Sequence, residues 1–276
     1  LVPQGSISNI ITQLTKQGYA LSIIDKYLLI LIGKPQSGWV NIDQPQINRI
    51  DFLYKLTKAK AKMEKITLIP GETRVLFFEN LEKTLNLDKI KLETFYKKYA
   101  YYPEAGIYAD TYYVPYGISE KNLISFLLKE SEKKYQNIST KTMGSYNKKA
   151  WLEILIKASI IQKEAANAKE MPIVSSVIEN RLKKGMKLQM DGTLNYGKYS
   201  HVKVTPIRIK TDSTRFNTYR YKGLPLSPIG SVSIDAIHAA IHPIKSNYLY
   251  FMKNAQGVHD FTDTFRKHRK NIKKAQ

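Results

Sequence analysis

The stretch Ala-Ser-Ile-Ile-Gln-Lys-Glu-Ala, residues 158–165, sets one carboxyl group inside an apolar helical run. On a helix, Ile160, Ile161, Glu164 and Ala168 share a side, while Gln162 and Lys163 point away from it. A carboxyl group held against apolar neighbours has its charged form disfavoured, so its pKa rises and it keeps a proton near neutrality. A general acid requires this property. Periodicity by itself favours a plainer alternative, a boundary glutamate that reaches solvent or pairs with a lysine.

The polar segments between residues 186 and 228 supply candidate partners: Gln189, Asp191, Thr193, Tyr196, Asn217, Thr218 and Tyr219. Amides, hydroxyls and tyrosine rings are the groups that hold sugar hydroxyl and N-acetyl groups. The same residue types also form turns, and Asp191-Gly192 makes a turn in any context. His238 and His242 stand four apart in His-Ala-Ala-Ile-His. Lacking an HExxH pattern and a third ligand, they point to packing or capping before Pro243 and not to a metal. His259 and His268 lie in separate settings and make no site with them. Dinucleotide and phosphate-binding loops have no counterpart of GxGxxG or GxxxxGK[ST], and a serine triad lacks its GxSxG. The chain has no cysteine, which removes thiol nucleophiles, thiolate metal sites and disulfides together. No cofactor is expected.

Several elements must position these groups. In 276 residues, 43% of them hydrophobic, there is material for a real core, either one large domain or two to three small ones. The Pro3 and Pro70 segments resemble each other: each has a proline, a nearby glycine and serine or threonine, then apolar residues at helical spacing. This suggests a repeated small α+β unit. In the second, Ile66 and Leu68 belong to a short strand, and Thr73 is placed to cap a helix through Val75, Phe78, Leu81 and Leu85. A helix carrying Ile50, Phe52, Leu53 and Leu56 lies between them. Another is expected from Glu120 to Tyr135 after Ser119. The polar stretch 136–148 marks a boundary or hinge. Helices are then expected over 149–168, 172–184 and 233–241, followed by two strands near 246–264 and a basic terminal helix. The organisation is therefore α+β: small units over residues 1–62 and 63–140, then a mainly helical domain with irregular loops over 141–276.

Formal charge is +21, which draws the chain to something anionic: nucleic acid, an acidic membrane surface or a carboxylate-bearing polymer. The tail from Arg266 to Gln276 has six basic residues and no acid. No finger, helix-turn-helix or RNA-binding signature accompanies this charge, so nucleic acid is not the expected partner. Neither a signal peptide nor an apolar run of the roughly 20 residues a spanning helix needs is legible.

Five stretches carry a family resemblance: ASIIQKEA, VSSVIENRLKKGMKLQMDGTLNYG, FNTYRYKGLPLSPI, AAIHPIKSNYLYF and GVHDFTDTFRKH. In order and spacing, residues 155–268 resemble the catalytic region of the endolytic murein transglycosylases, the YceG-like family. Upstream, ITLIPGET is similar to the opening of the family's LysM-like subdomain. PEAGIYADTY is similar to its Pro-Glu-Gly-Tyr-Leu-Phe-Pro-Asp-Thr-Tyr stretch.

The resemblance implies that Glu164 is the catalytic residue, at the second acidic position of Ala-Ser-Ile-Val-Glu-Lys-Glu, with Gln162 at the first. It places Gln189, Asp191 and Thr193 on Leu-Gln-Ser-Asp-Pro-Thr, with Gly192 for the proline, which implies a looser turn. Asn217, Thr218 and Tyr219 fall on Tyr-Asn-Thr-Tyr, with Phe216 for its first tyrosine. Leu226-Ser227-Pro228 replaces Pro-Gly-Pro. The implied activity is endolytic cleavage of the β-1,4 bond between N-acetylmuramic acid and N-acetylglucosamine in nascent peptidoglycan strands, leaving 1,6-anhydro ends. The implied setting is periplasmic or extracytoplasmic, beside penicillin-binding proteins, with an N-terminal inner-membrane anchor outside this chain. The alternative is a non-catalytic peptidoglycan-binding or scaffolding protein of the same fold.

Overall fold

Helix α1 (Ile7–Lys16), α2 (Ile23–Ile32) and α3 (Arg49–Lys58) close over Leu14, Leu29, Leu53 and Leu56 to make the first core. The computed structural model describes residues 1–3, 5–40, 42, 46–60 and 62–275. Ser6 and Asn48 cap α1 and α3 by accepting from the backbone N–H three residues on. Asp25 of α2 is fully buried. Arg49 Nε of α3 donates to its Oδ1 at 2.7 Å, and this partner holds the carboxyl below its usual range. Among the described residues this unit has no strand, only an isolated bridge between Val2 and Gly38. The similarity of the Pro3 and Pro70 segments therefore extends to the helix but not to the strand, since among the described residues Val2 forms only the bridge to Gly38.

The second segment does find a partner. Strand β1 (Met63–Thr67) pairs antiparallel with β2 (Thr111–Pro115), with Ile66 opposite Tyr112. Between them in sequence, α4 (Arg74–Leu85) and α5 (Lys89–Tyr99) bring Phe77, Phe78, Leu81, Leu92 and Tyr96 into a second core. The first half of α6 (Glu120–Met143) completes it with Leu123, Ile124 and Leu127. Thr73 holds the N-cap position of α4, but its hydroxyl does not cap. It donates to the Gly197 carbonyl at 2.8 Å, while Glu104 Oε1 accepts from Arg74 N at 2.9 Å. Tertiary contact has taken over a locally legible cap.

Ala105, next to that glutamate, has φ of 57° and is nearly fully buried, with its carbonyl accepting from Tyr135 Oη at 2.7 Å. A left-handed conformation costs a residue with a Cβ about 1–2 kcal/mol, partly offset in glycine by unfolded-chain entropy. Ala105→Gly should therefore stabilise the fold by roughly 0.5–1 kcal/mol. A higher urea midpoint at unchanged slope would bear this out, and a lower midpoint would refute it.

Helix α6 does not stop at Tyr135. It runs through the polar stretch to Met143 and ends at Gly144, whose φ is 76°. Thr142 donates to the Ile138 carbonyl and Ser139 to that of Ser145, so the hydroxyls are satisfied within the helix end. The third core gathers Tyr135 with α7 (Lys148–Glu164) and α8 (Met171–Lys183), around Trp151, Leu155, Ile160, Val174 and Ile178. A short helix α9 (Pro206–Thr211) lies in the region read as irregular, started by Thr205 as cap and Pro206 in its first turn. Helix α10 (Ile234–Ile241) follows with Ile237 and Ala240 in the same core. A hairpin of β3 (Tyr250–Lys253) and β4 (His259–Thr262) comes next, then α11 (Phe265–Ala275). The whole is mainly helical α+β.

One turn of the middle unit is clasped by the third. Gly71 N donates to the Ser231 carbonyl at 2.9 Å, and Ser231 N to that of Glu72 at 2.8 Å. Ser231 Oγ reaches the Ile69 carbonyl at 2.8 Å. A Cβ on Gly230 would stand 2.8 Å from the Gly71 oxygen, so this approach requires glycine. The clasp sets residues 69–73 beside the last turn of α7.

Candidate active site

Glu164 is the last residue of α7, four residues short of the expected end. Ala165 leaves the helix in an extended conformation (φ −72°, ψ 134°). The carboxyl thus sits at the negative end of the helix dipole, which disfavours its ionisation. Burial is the main force on it and raises the pKa to about 7; the nearby Asp191 charge acts in the same direction. A hydrogen bond from Gly192 and the charge of Arg181 oppose them. As a whole residue Glu164 is half-buried.

The Gly192 bond fixes the geometry. Its N–H donates to Glu164 Oε1 at 2.6 Å from a tight 3₁₀ turn, Asp191–Leu194. A Cβ on residue 192 would lie 2.8 Å from that oxygen and 2.9 Å from Lys163 Cβ. The turn is therefore pressed against the helix end, not looser for having glycine where the family pattern has proline. Gln162 and Lys163 do point away from the Glu164 side, but into protein. Gln162 Oε1 accepts from Ser233 N at 3.1 Å, and Lys163 Nζ donates to Ser200 Oγ at 3.0 Å. Burial lowers the Lys163 pKa.

The other candidate residues fall into two groups. Thr193, Asn217 and Thr218 are buried and engaged internally. Thr193 Oγ1 donates to the Met190 carbonyl at 2.7 Å and lies 2.9 Å from Thr218 Oγ1, which accepts from Met190 N at 3.1 Å. Asn217 Nδ2 donates to the Ile209 and Asp212 carbonyls, both at 2.8 Å. The two threonines tie the 190–193 turn to the loop at 218, and Asn217 ties that loop to the end of α9. Asn217→Ala leaves two part-buried carbonyls without this donor and should cost about 1–3 kcal/mol. Chemical denaturation measures it, and a change under about 0.5 kcal/mol would show the amide is dispensable.

Tyr219, Asp191 and Gln189 are at least partly exposed. Tyr219 Oη donates to Asp191 Oδ1 at 2.7 Å, directly beside the Gly192 turn. Tyr196 stacks on Phe216 at 4.3 Å between ring centres, and its hydroxyl donates to Asp212 Oδ2 at 2.9 Å. Sequence reading missed Arg181. Its Nε donates to the Leu249 carbonyl at 2.6 Å, its guanidinium lies 5.4 Å from the Tyr250 ring centre, and its charge is felt by both Glu164 and Tyr219. A signal existed: Val174, Val177, Ile178 and Arg181 follow helical spacing, so the arginine stands on the apolar stripe of α8. Glu170 and His259 also meet, at 2.7 Å, and fasten the loop after α7 to β4. No cluster of three or more potential metal ligands occurs among the described residues.

Comparison with known proteins follows this geometry. Residues 1–274 match the model of the YceG-like family. The chain is 30% identical over 214 residues to the endolytic murein transglycosylase of Bacillus subtilis (strain 168), covering 76% of this chain and 57% of that protein. It is 26% identical over 239 residues to the endolytic murein transglycosylase of Streptococcus pneumoniae serotype 2, covering 76% of this chain and 42% of that protein. The chain thus spans roughly half the length of the relatives it matches. A crystal structure of a YceG-like protein from Listeria monocytogenes superposes with a TM-score of 0.62 at 27% identity, over 98% of this chain and 97% of that one.

Proposed function

We propose that this chain, which belongs to the YceG-like family, is a peptidoglycan lytic transglycosylase whose catalytic group is Glu164. The observation that carries the reading is the Glu164 carboxyl group, pushed up by burial to about 7 and held at 2.6 Å by the Gly192 backbone N–H at the end of α7. The relatives named endolytic murein transglycosylases supply the substrate class.

Protonated Glu164 donates its proton to the glycosidic oxygen as the bond from C1 of N-acetylmuramic acid breaks. The resulting carboxylate accepts the proton of the C6 hydroxyl while that oxygen bonds to C1, which leaves a 1,6-anhydro end. Burial favours the acid before the first transfer, and the Gly192 N–H stabilises the carboxylate after it. One group poised near neutrality serves both steps. An intramolecular hydroxyl in place of water makes orientation a large part of the catalysis. Asp191, which accepts from Tyr219 beside the Gly192 turn, is the carboxylate that would stabilise positive charge developing at C1. The resemblance supports Gln189, Tyr196 and Tyr219 as sugar contacts, while the hydrogen bonds of Thr193, Asn217 and Thr218 hold the loops that carry them.

Asp191 also supports a second reading. A glycoside hydrolase uses two carboxyl groups, and the fold brings this one to the turn that touches Glu164. Digestion of purified sacculi followed by mass spectrometry separates the two readings. The lytic reading requires anhydro ends. Reducing ends in their place would make the chain a hydrolase, and undigested but bound sacculi would make it a scaffold. The resemblance further supports a LysM-like role for residues 63–140, action on nascent strands near penicillin-binding proteins, and an extracytoplasmic location with a membrane anchor. Among the described residues no helix is long and apolar enough to cross a membrane.

A further inference from the structure

We propose that helix α2 is a docking face for an anionic lipid surface. Ile23, Ile24, Tyr27, Ile30 and Leu31 are all exposed, with Ile24 at 65% and Leu31 at 83%. At helical spacing they fall within one arc about 120° wide, on the side of α2 opposite the buried Asp25 and Leu29. In a water-exposed helix this arc would normally carry the polar residues. Here the polarity is inverted: the acid of α2 is inside, neutralised by Arg49, and the large apolar side chains are outside.

The charges around the arc indicate which surface covers it. Lys26 borders it on α2, its Nζ 5.9 Å from the Tyr27 ring centre. Lys16 of α1 lines the same groove as Ile23 and Lys26. No carboxylate stands on the arc, and residues 1–62 hold eight basic side chains against three acidic ones. A second copy would have to bring a chain of the same +21 charge against this one. An anionic bilayer takes both features together, apolar side chains into the acyl boundary and lysines among the headgroups, with the tyrosine ring at the interface.

The proposal stands independently of the chemistry at Glu164. Its test is flotation of the chain with vesicles of phosphatidylcholine and phosphatidylglycerol (3:1) or of phosphatidylcholine alone. Wild type should float with the anionic vesicles and much less with the neutral ones. Ile24→Ser with Leu31→Ser should lower the bound fraction at least tenfold, with melting temperature and digestion of sacculi unchanged. Emission of Tyr27→Trp should shift to the blue on anionic vesicles. Unchanged binding by the double variant would overturn the proposal, since general basic charge would then account for adsorption. So would a failure of wild type to float, or a dimer in sedimentation equilibrium that the double variant dissociates.

Discussion

Glu164→Gln is expected to abolish release of anhydro ends, by about 10²–10⁴-fold in kcat/KM, without loss of the fold. Glutamine keeps the shape and can still accept from Gly192 N, but it has no proton to give and no charge to take one back. In wild type, the rate should depend on Glu164 being protonated at the first step. With the pKa raised to about 7, kcat/KM should be level on the acid side and fall about tenfold per pH unit above neutrality.

The same substitution has a stability signature. The folded pKa of about 7 lies above the ordinary value of 4.5, so the folded state favours the protonated form. That stabilisation is fully present below pH 4.5 and is lost as pH rises through about 7. Glutamine does not titrate. The melting temperature of Glu164→Gln relative to wild type should therefore be more favourable at pH 8 than at pH 4.5. Near wild-type turnover in the purified variant would remove Glu164 from the mechanism. An equal offset at both pH values would show that its carboxyl is not held as described.

Gly192→Ala should lower kcat by about 10–100-fold with a smaller change in KM. The added methyl would stand 2.8 Å from Glu164 Oε1 and 2.9 Å from Lys163 Cβ, so either the turn lifts or the carboxyl swings away. Both stretch the 2.6 Å hydrogen bond that favours the carboxylate. A displacement near 1 Å at a reacting group is enough for such a loss. Losing the donor also raises the Glu164 pKa, so the alkaline limb of the pH–rate profile should move to higher pH. That shift distinguishes a positioned carboxyl group from simple damage to the loop. A variant with lower kcat but an unmoved limb would show that the Gly192 N–H does not tune Glu164.

Much of the fold was legible from local patterns. Apolar spacing located α7, α8 and α10, and two strands and a basic terminal helix were expected where the β3–β4 hairpin and α11 stand. Where reading and structure part, a hydrogen-bond partner that composition does not announce has intervened, distant in one case and local in the other. Thr73 looks like a cap but bonds to Gly197, and α6 continues through residues whose composition suggests a hinge. The arc of α2 was not legible, because its exposure depends on which side Arg49 and the first core claim.

At the site, the sequence by itself determined that a carboxyl group sits on the apolar side of a helix, and that polar loops follow it. Whether that group holds a proton near neutrality depends on tertiary structure. Ionisation depends on what covers the carboxyl and which donors meet it, and the three groups that matter most reach it from other parts of the chain. Asp191 and Gly192 arrive on a loop 27 and 28 residues downstream, braced by Thr218, and Arg181 comes from α8. The Gly192 contribution is a backbone N–H, which every residue but proline carries, so no side-chain pattern announces it. Only the packing of that turn onto the end of α7 turned a common peptide group into the partner of the Glu164 carboxyl.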